Sequence, residues 1–161
     1  MQNNSRPIIV GLISDTHGLL RPSVHKALEG VELILHAGDV GGFEILEELR
    51  IIAPVQAVYG NTDPLGDPNL ENELILPIGG LSIHVSHGHE VGSPTPQKLL
   101  TTYPQDVLIY GHTHRQLVTH AEGRLVVNPG AAGPRRFNLA PSVARLTISK
   151  GQAEVEIVAL D

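Results

Sequence analysis

Three apolar segments in the first 60 residues, separated by helical patterns, constrain the fold more than any other feature of this sequence. They are residues 7–13, 31–35 and 55–59, and they read as mainly apolar runs without alternation. Such runs are typical of strands covered on both faces, as in a parallel sheet. Residues 19–30 and 41–54 lie between them and have helical spacing. This order predicts a βαβαβ unit with right-handed crossovers.

The second half of the chain has a different pattern. Residues 72–88 read as a hairpin that turns at Gly79–Gly80, a pair suited to a two-residue turn. A short helix is predicted over 95–102, before an apolar run at 106–110. Short runs broken by turn residues follow, and we expect them to be antiparallel. Two packed sheets with outer helices, in the α/β class, fit this pattern better than a plain doubly wound sheet.

Length and composition indicate one globular domain. The chain has 161 residues, of which 41% are hydrophobic and 17% charged, so it can bury a core without covalent staples. We expect a single domain over 1–161, with 1–5 as a loose tail. The chain has no cysteine, which excludes disulfides and thiolate metal sites and suits a reducing compartment.

Charge and hydropathy patterning narrow the classes of partner. Lys plus Arg is 11 and Asp plus Glu is 17, so the net charge is 11 − 17 = −6. This balance argues against general nucleic-acid binding through a basic face. The N-terminus lacks the basic segment of a secretory signal, and no stretch approaches the ~20 apolar residues of a membrane helix. We therefore expect a cytoplasmic protein that does not bind membranes.

Polar residues follow five of the predicted strands, at the point where each strand ends. In open α/β sheets, ligands bind outside the carboxyl ends of the strands. Turn chemistry explains Asp, Asn and Gly at these places, and a simple turn is the alternative interpretation of each motif alone. It gives no reason for the histidines, so the whole set favours a metal site. The candidate metal ligands are Asp15, His17, Asp39, Asn61, His87, His112 and His114.

Seven donors exceed the needs of one four-coordinate ion, whereas two ions that share a carboxylate would use them all. Imidazole, carboxylate and amide ligands suit Mn, Fe, Co, Ni or Zn. Two ions about 3.5–4 Å apart can clamp a phosphoryl group, and they bring the positive field that an acidic chain lacks.

The ordered motifs "D-x-H", "GD", "GN", "H" and "GH-x-H" resemble those of the calcineurin-like metallophosphoesterase superfamily. The forms "GNTD", "SHGH" and "NPG" look like its small YfcE-like phosphodiesterase branch. The resemblance covers nearly the whole chain, from Ile8 to beyond Pro134. It implies a four-layer αββα sandwich of two mixed sheets flanked by helices, with a dinuclear site at one edge.

The resemblance also implies a role for each candidate ligand. One metal would be held by Asp15, His17, His114 and the bridging Asp39. The second would be held by Asp39, Asn61, His87 and His112. The cofactors implied are two divalent ions, most often manganese in this family. The implied reaction is in-line attack of a metal-bridging hydroxide on a small or nucleotide-like phosphodiester, with Asp39 and Asn61 among the catalytic residues.

One position departs from the pattern of many superfamily members, which carry a histidine after the Asn of "GN". This chain has Thr62 there, and a hydroxyl is a poor general acid. His89, Asp63 or a water would have to supply the proton to the leaving group. We name His89 as the catalytic candidate that lines the substrate site, and the identity of the acid stays open.

The remaining basic side chains receive structural interpretations. His36 is interpreted as a core residue or as one that orients a carboxylate, and His84 as structural. We expect His25 and His120 to face solvent. Arg135 and Arg136 read as a solvated charge pair, with contact to substrate phosphate or to a second subunit as the alternative.

The leading hypothesis is thus a metal-dependent phosphodiesterase. The alternatives are a non-catalytic scaffold, like the retromer subunit of the same superfamily, and a phosphomonoesterase. A scaffold is expected to lose metal ligands, whereas all seven positions here carry competent donors. Neither the physiological substrate nor association into a homo-oligomer follows from the sequence.

Overall fold

The computed structural model describes residues 6–136 and 138–161, and ten strands and three α-helices make up its regular structure. The strands are β1 (Ile8–Ile13), β2 (Leu33–His36), β3 (Val55–Ala57), β4 (Leu74–Ile78), β5 (Leu81–Val85), β6 (Val107–Ile109), β7 (Leu117–Ala121), β8 (Arg124–Asn128), β9 (Ser142–Ser149) and β10 (Gln152–Ala159). The helices are α1 (Ser23–Ala27), α2 (Phe43–Arg50) and α3 (Pro96–Thr102), with a 3-10 turn at His89–Val91. The tail predicted for 1–5 lies outside the described residues.

Two five-stranded mixed sheets form the centre of the fold. The first has the order β10-β9-β1-β2-β3, with β1, β2 and β3 mutually parallel and β9 antiparallel to β1. The second has the order β4-β5-β6-β8-β7, with β5, β6 and β8 parallel. The predicted α/β class with two mixed sheets is confirmed, as is the parallel unit of the first three strands.

Hairpins connect the remaining strands much as the sequence indicates. β4 and β5 pair through the turn at Gly79–Gly80, where both glycines have positive φ (58° and 86°). The C-terminal runs form the antiparallel hairpins β7–β8 and β9–β10. The antiparallel prediction is incomplete for β8, because this strand inserts between β7 and β6 and pairs parallel with β6.

Several elements are shorter than the patterns that predict them. The helical segment at 19–30 contains only the five-residue α1, which Pro22 precedes and which ends where Leu28 leaves helical geometry (φ −107°, ψ 17°). β3 spans three residues of the predicted 55–59, since the chain then turns toward the edge of the sheet. The order of the elements is unaffected.

Buried apolar side chains form a layer between the sheets and two outer layers. Val10, Leu12, Ile83 and Ile109 belong to the inner cluster, which draws on both sheets. A second cluster packs α1 and α2 against the outer face of the first sheet, and a third packs α3 against the second sheet. Helix, sheet, sheet, helix is therefore the order of layers. Within the described ranges, no helix is long and apolar enough to cross a membrane.

Candidate metal centre

The seven predicted ligands come from loops that follow five strands of the two sheets. Because β1, β2 and β3 are parallel, as are β5 and β6, the loops after them leave each sheet at one edge. Asp15 and His17 follow β1, Asp39 follows β2, Asn61 follows β3, His87 follows β5, and His112 and His114 follow β6. The distances given below show that these loops bring their side chains together.

The backbone at these loops is unusual. Five of the predicted ligands have positive φ: Asp15 (54°), His17 (46°), Asp39 (56°), His112 (73°) and His114 (65°). They make up five of the seven non-glycine residues with positive φ in the described part of the chain. Each such residue costs on the order of 1–3 kcal/mol, and such strain clusters at functional sites. The tight turns return each side chain over the strand ends.

Asp15 directs one carboxylate oxygen, Oδ1, at three imidazoles, those of His114, His17 and His87 (3.8 Å to His87 Nε2). Its Oδ2 accepts hydrogen bonds from the Ser14 hydroxyl (2.6 Å) and the His112 N–H (3.1 Å). Its Oδ1 is buried without a hydrogen-bond donor, and it lies 3.3 Å from His114 Nε2 and 3.7 Å from His17 Nε2. The Nε2 of His17 is likewise buried and unpartnered. Asp15, His17 and His114 can hold one cation.

Asp39 is held in the same way, with one oxygen fixed and the other directed into the centre. Its Oδ1 accepts from the Thr62 N–H (2.9 Å) and from the Thr62 hydroxyl (2.8 Å). Its Oδ2 lies 3.5 Å from His17 Nε2 and 3.2 Å from His87 Nε2. Oδ2 therefore stands between the Asp15 group and the donors that follow β3, β5 and β6, which is the position a bridging ligand needs.

The imidazole of His87 is oriented by the backbone. Its Nδ1 donates to the Ala37 carbonyl (2.7 Å), which leaves Nε2 for the centre. His112 Nδ1 lies 3.3 Å from His87 Nε2 and 3.2 Å from Asn61 Oδ1. These contacts place Asn61 and His112 beside His87. Asp15, Asp39 and His87 form a second group of side chains whose ligand atoms could hold one cation. Such a backbone contact to the second ring nitrogen is typical of metal-ligating histidines.

The carboxylates at the centre are held in their charged form. Burial alone would raise the pKa of Asp15, but contacts with His114 and His17 outweigh it and hold this pKa well below its usual range. Burial also opposes ionisation of Asp39, yet the contacts with His87 lower the pKa of Asp39 to about 2. Buried anionic oxygens without donors, beside imidazole nitrogens, make a donor set that fits a divalent cation.

Protons and cations compete for the same positions. Burial opposes the charged form of His87, but its contacts with Asp39 and Asp15 raise the pKa of His87. Burial and the neighbouring His87 lower the pKa of His112. A cation at this place would therefore displace a proton from His87, because metal ligation requires the neutral imidazole.

His36 and Thr16 connect the loop after β1 with the loop after β2. His36 Nδ1 accepts from the Gly38 N–H (3.1 Å), and its Nε2–H donates to the Thr16 hydroxyl (2.9 Å). Thr16 in turn donates to the Val40 carbonyl (2.7 Å). Burial lowers the pKa of His36 to about 4, so the ring is neutral at pH 7. Asp39 lies between residues that this network holds.

Asp63 ties the loop after β2 to the loop after β3. Its carboxylate accepts from the backbone N–H groups of Val40 (3.0 Å), Gly41 (3.2 Å) and Gly60 (2.8 Å). Both oxygens are occupied by donors, so Asp63 is not placed to supply a proton to a leaving group. Of the alternatives that the sequence leaves open for the acid, Asp63 is therefore the one that these contacts disfavour.

His89 lies at the rim of the centre. Its ring centroid is 5.4 Å from that of His87 and 6.3 Å from that of His112. Its Nδ1 is buried without a hydrogen-bond partner. The nearest carboxylate to this nitrogen is that of Glu90, whose Oε1 lies 3.6 Å away.

The other histidines and the arginine pair lie apart from the centre. His84 is buried, its Nε2–H donates to Glu73 Oε2 (2.6 Å), and its ring stacks on Tyr103 with ring centroids 3.8 Å apart. His25 contacts Glu48 at 2.7 Å on the surface. His120 is exposed on β7, and Arg135 and Arg136 are exposed beyond β8. These positions agree with the structural interpretations from the sequence.

Sequence reasoning missed the paired donation from Thr62 and the roles of Thr16 and Asp63. From the sequence, Thr62 is interpreted only as a poor general acid, although "GNTD" places a hydroxyl and a carboxylate beside a predicted ligand. Short polar side chains next to ligands are the available signal for such supporting contacts.

Comparison with known proteins assigns the family. Residues 8–151 match the calcineurin-like phosphoesterase superfamily domain. A probable metallophosphoesterase of Methanothermobacter thermautotrophicus is 35% identical over 159 residues, covering 94% of this chain and 92% of that protein. A phosphodiesterase of Methanocaldococcus jannaschii is 32% identical over 139 residues, covering 75% of this chain and 82% of that protein.

Solved structures show the same fold. Vps29 of Entamoeba histolytica, complexed with Zn²⁺, superimposes with a TM-score of 0.76 at 27% identity and covers 96% of this chain and 100% of that chain. The chain belongs to the calcineurin-like phosphoesterase superfamily, a family of metal-dependent hydrolases, as the motifs predict. Because Vps29 shares this fold, the scaffold alternative has to be tested by experiment.

Proposed function

We propose that the protein is a two-metal phosphodiesterase that acts on a small or nucleotide-like phosphodiester. The observation that carries this proposal is the convergence of donor atoms from five strand ends, with Asp15 Oδ1 and His17 Nε2 buried and unpartnered at the centre. Buried polar atoms without a hydrogen-bond partner destabilise the fold, so a bound cation is the simplest partner for these two atoms.

Each ion would have four protein ligands, with one of them shared. Asp15, His17, His114 and Asp39 would hold the first ion. Asp39, Asn61, His87 and His112 would hold the second. Oδ2 of Asp39 supports the bridging role, since it is 3.5 Å from His17 and 3.2 Å from His87. Manganese is the metal that the family resemblance favours, and the ligand types also suit Fe, Co, Ni or Zn.

When bound, such a pair of ions supplies a clamp for the phosphoryl group and lowers the pKa of water to ≈ 7. The chain's own contribution is orientation. Ser14 and the His112 N–H fix Oδ2 of Asp15, and Thr62 fixes Oδ1 of Asp39, so that the other oxygen of each carboxylate meets the centre. Preorganised ligands reduce the reorganisation that would otherwise accompany reaction.

His89 is the residue we assign to proton transfer toward the leaving group. It stands at the rim near His87 and His112, and its Nδ1 has no hydrogen-bond partner. Thr62 is committed to Asp39 and Asp63 to backbone donors, so neither competes for this role. Esters with good leaving groups should depend little on His89, whereas alkoxide leaving groups should depend on it strongly.

A scaffold function is the second candidate, because Vps29 structures share this fold over 96% of the chain. A scaffold needs no intact ligand set, so retention of all seven donors supports the enzyme. A phosphomonoesterase is the third candidate, and it differs from the first only in the substrate it prefers.

The deciding experiment is a manganese-supplemented assay with bis(p-nitrophenyl) phosphate and p-nitrophenyl phosphate, using wild type and Asp39→Ala. We expect the diester to be cleaved with the higher kcat/KM and the variant to lose at least about a hundredfold. Equal activity of wild type and Asp39→Ala would overturn the two-metal site, and preference for the monoester would overturn the phosphodiesterase assignment. His25→Ala, on the surface, serves as the matched control.

A further inference from the structure

Large apolar side chains are exposed on the loops that carry the predicted metal ligands. Six large hydrophobic residues are exposed among the described residues, and three of them follow a predicted ligand closely. Leu19 comes two residues after His17 (19 − 17), and Phe43 comes four after Asp39 (43 − 39). Leu65 comes four residues after Asn61 in the same way. Of these three side chains, Phe43 also lines a cavity.

A cavity of about 410 Å³ lies behind Phe43, between the start of α2 and the loop at 63–70. Its apolar walls include Val40, Phe43, Leu46, Pro64 and Leu70. The volume falls within the range of about 300–1,000 Å³ that is usual for small-ligand pockets, and such pockets are mostly apolar.

The walls of this cavity belong in part to the loops that carry the predicted ligands Asp39 and Asn61. Val40 directly follows Asp39, and its N–H donates to the Asp63 carboxylate (3.0 Å). Asp63 and Pro64 follow Thr62, whose hydroxyl contacts Asp39 Oδ1 at 2.8 Å. The two loops that position the bridging carboxylate therefore also form the cavity. When the phosphorus of a diester lies at the metal centre, at least one of its ester groups must extend over the surface around the centre.

The charge of the lining selects against an anionic occupant. The ionisable residues that line the cavity are the acids Asp63 and Asp67, and no Lys, Arg or His is among the described residues that line it. A second phosphate would be repelled there. The Phe43 ring has the Arg50 guanidinium 5.5 Å from its centroid, which favours a fixed ring that an aromatic group can pack against.

We propose that this cavity binds one uncharged aromatic ester group of the phosphodiester and so sets the substrate preference. The proposal rests on the proposed phosphodiesterase function and adds to it the class of substrate, an aryl or heteroaryl ester. Phe43 and Pro64 supply the packing surface, and Leu46 and Leu70 form the apolar floor.

A binding measurement tests the proposal independently of turnover. The full chain with Zn²⁺, which is diamagnetic, is titrated with methyl phenylphosphonate and with methyl methylphosphonate, which differ in one aromatic ring. Binding is followed by methyl NMR. We expect the phenyl analogue to bind about tenfold more tightly, since burial of an aromatic ring removes apolar surface from water. We also expect ring-current shifts at the methyl groups of Leu46 and Leu70. Equal affinities, or shifts that leave both leucines unaffected, would overturn the proposal.

Two variants sharpen the test. Phe43→Ala should lower the ratio of the two affinities about tenfold, whereas Ile51→Ala, an exposed residue just beyond the other end of α2, should leave the ratio as in wild type. A ratio that is unchanged in Phe43→Ala would also overturn the proposal. Thermal melts of both variants establish that they are folded.

The outcomes also separate this proposal from the proposed function. A protein that binds the phenyl analogue at Leu46 and Leu70 but cleaves no phosphodiester supports the cavity and overturns the phosphodiesterase. If the protein cleaves diesters but binds the two analogues equally well, the proposed function stands and the cavity proposal is overturned.

Discussion

Thr62 donates two hydrogen bonds to the same oxygen of Asp39, one from its backbone N–H and one from its hydroxyl. This pairing fixes Oδ1 and leaves Oδ2 directed at His17 and His87. The family resemblance implies a histidine at the position of Thr62 in many members of the superfamily. Here the side chain at that position orients the Asp39 carboxylate, which we propose as the bridging ligand.

Replacing Thr62 should therefore weaken metal binding. Thr62→Val removes the hydroxyl while keeping the shape and the backbone donor, and we expect the affinity for Mn²⁺ to fall about tenfold, as is typical for partners that orient ligands. Thr62→Ser keeps the hydroxyl and should bind like wild type. Isothermal titration calorimetry measures both. Equal affinity of the Val and Ser variants would show that the backbone N–H alone orients Asp39.

The sequence predicts which loops lie side by side because the order of the strands determines where each loop leaves its sheet. Parallel strands end at a common edge, so Asp15, Asp39 and Asn61 can be placed together from strand order alone. Supporting contacts such as Thr62 to Asp39 depend on how two irregular loops pack, and no periodicity in the sequence reports that packing. The left-handed backbone of His17 and of the other predicted ligands with positive φ does not follow from the sequence for the same reason. Only Gly and Asn indicate this conformation reliably.

Neither the helix boundaries nor the cavity behind Phe43 can be predicted from the sequence, because both depend on tertiary contacts. Residues 19–30 have helical spacing throughout, yet tertiary contacts limit α1 to Ser23–Ala27. The cavity depends on the loop at 63–70, which is rich in Pro and Gly and forms neither helix nor strand.

His36 should make the stability of the metal-free protein depend on pH. Its pKa is about 4 in the folded state because it is buried, against an ordinary value of 6.5. Between these values the unfolded chain binds the proton and the folded chain does not, so the free energy of unfolding falls as the pH is lowered from 6.5 to 4. The contribution is roughly 3 kcal/mol over that window.

His36→Gln removes this titration while keeping a donor and an acceptor. Urea unfolding at pH 4.5 and pH 7 should show a smaller decrease in the variant than in wild type. His25→Gln, which alters an exposed histidine paired with Glu48, should retain the wild-type decrease. A His36→Gln profile with the wild-type slope would contradict the neutral, buried state of this ring.

Glycines beside the ligands should be intolerant of a methyl group. A Cβ at Gly60 would overlap Oδ1 and the backbone N of Asp39. Gly60→Ala should therefore displace Asp39 and lower the affinity for Mn²⁺ by at least about tenfold. Gly123→Ala adds a methyl group into open space in the β7–β8 turn, and it should lower stability without changing metal affinity. Circular dichroism and calorimetry distinguish the two effects, and loss of metal binding in Gly123→Ala would point to general unfolding.

Divalent metal should stabilise the folded chain because it provides the partner that the buried acceptors at Asp15 and His17 lack. At a free Mn²⁺ concentration of a hundred times Kd, linkage adds about 2.7 kcal/mol to the free energy of unfolding. For a chain of this size that corresponds to a rise in Tm on the order of 5–10 °C, which EDTA should reverse. Asp39→Ala removes the ligand shared by both sites, so its Tm should respond weakly to the same Mn²⁺ concentration. A full rise in that variant would place the stabilising ion elsewhere in the molecule.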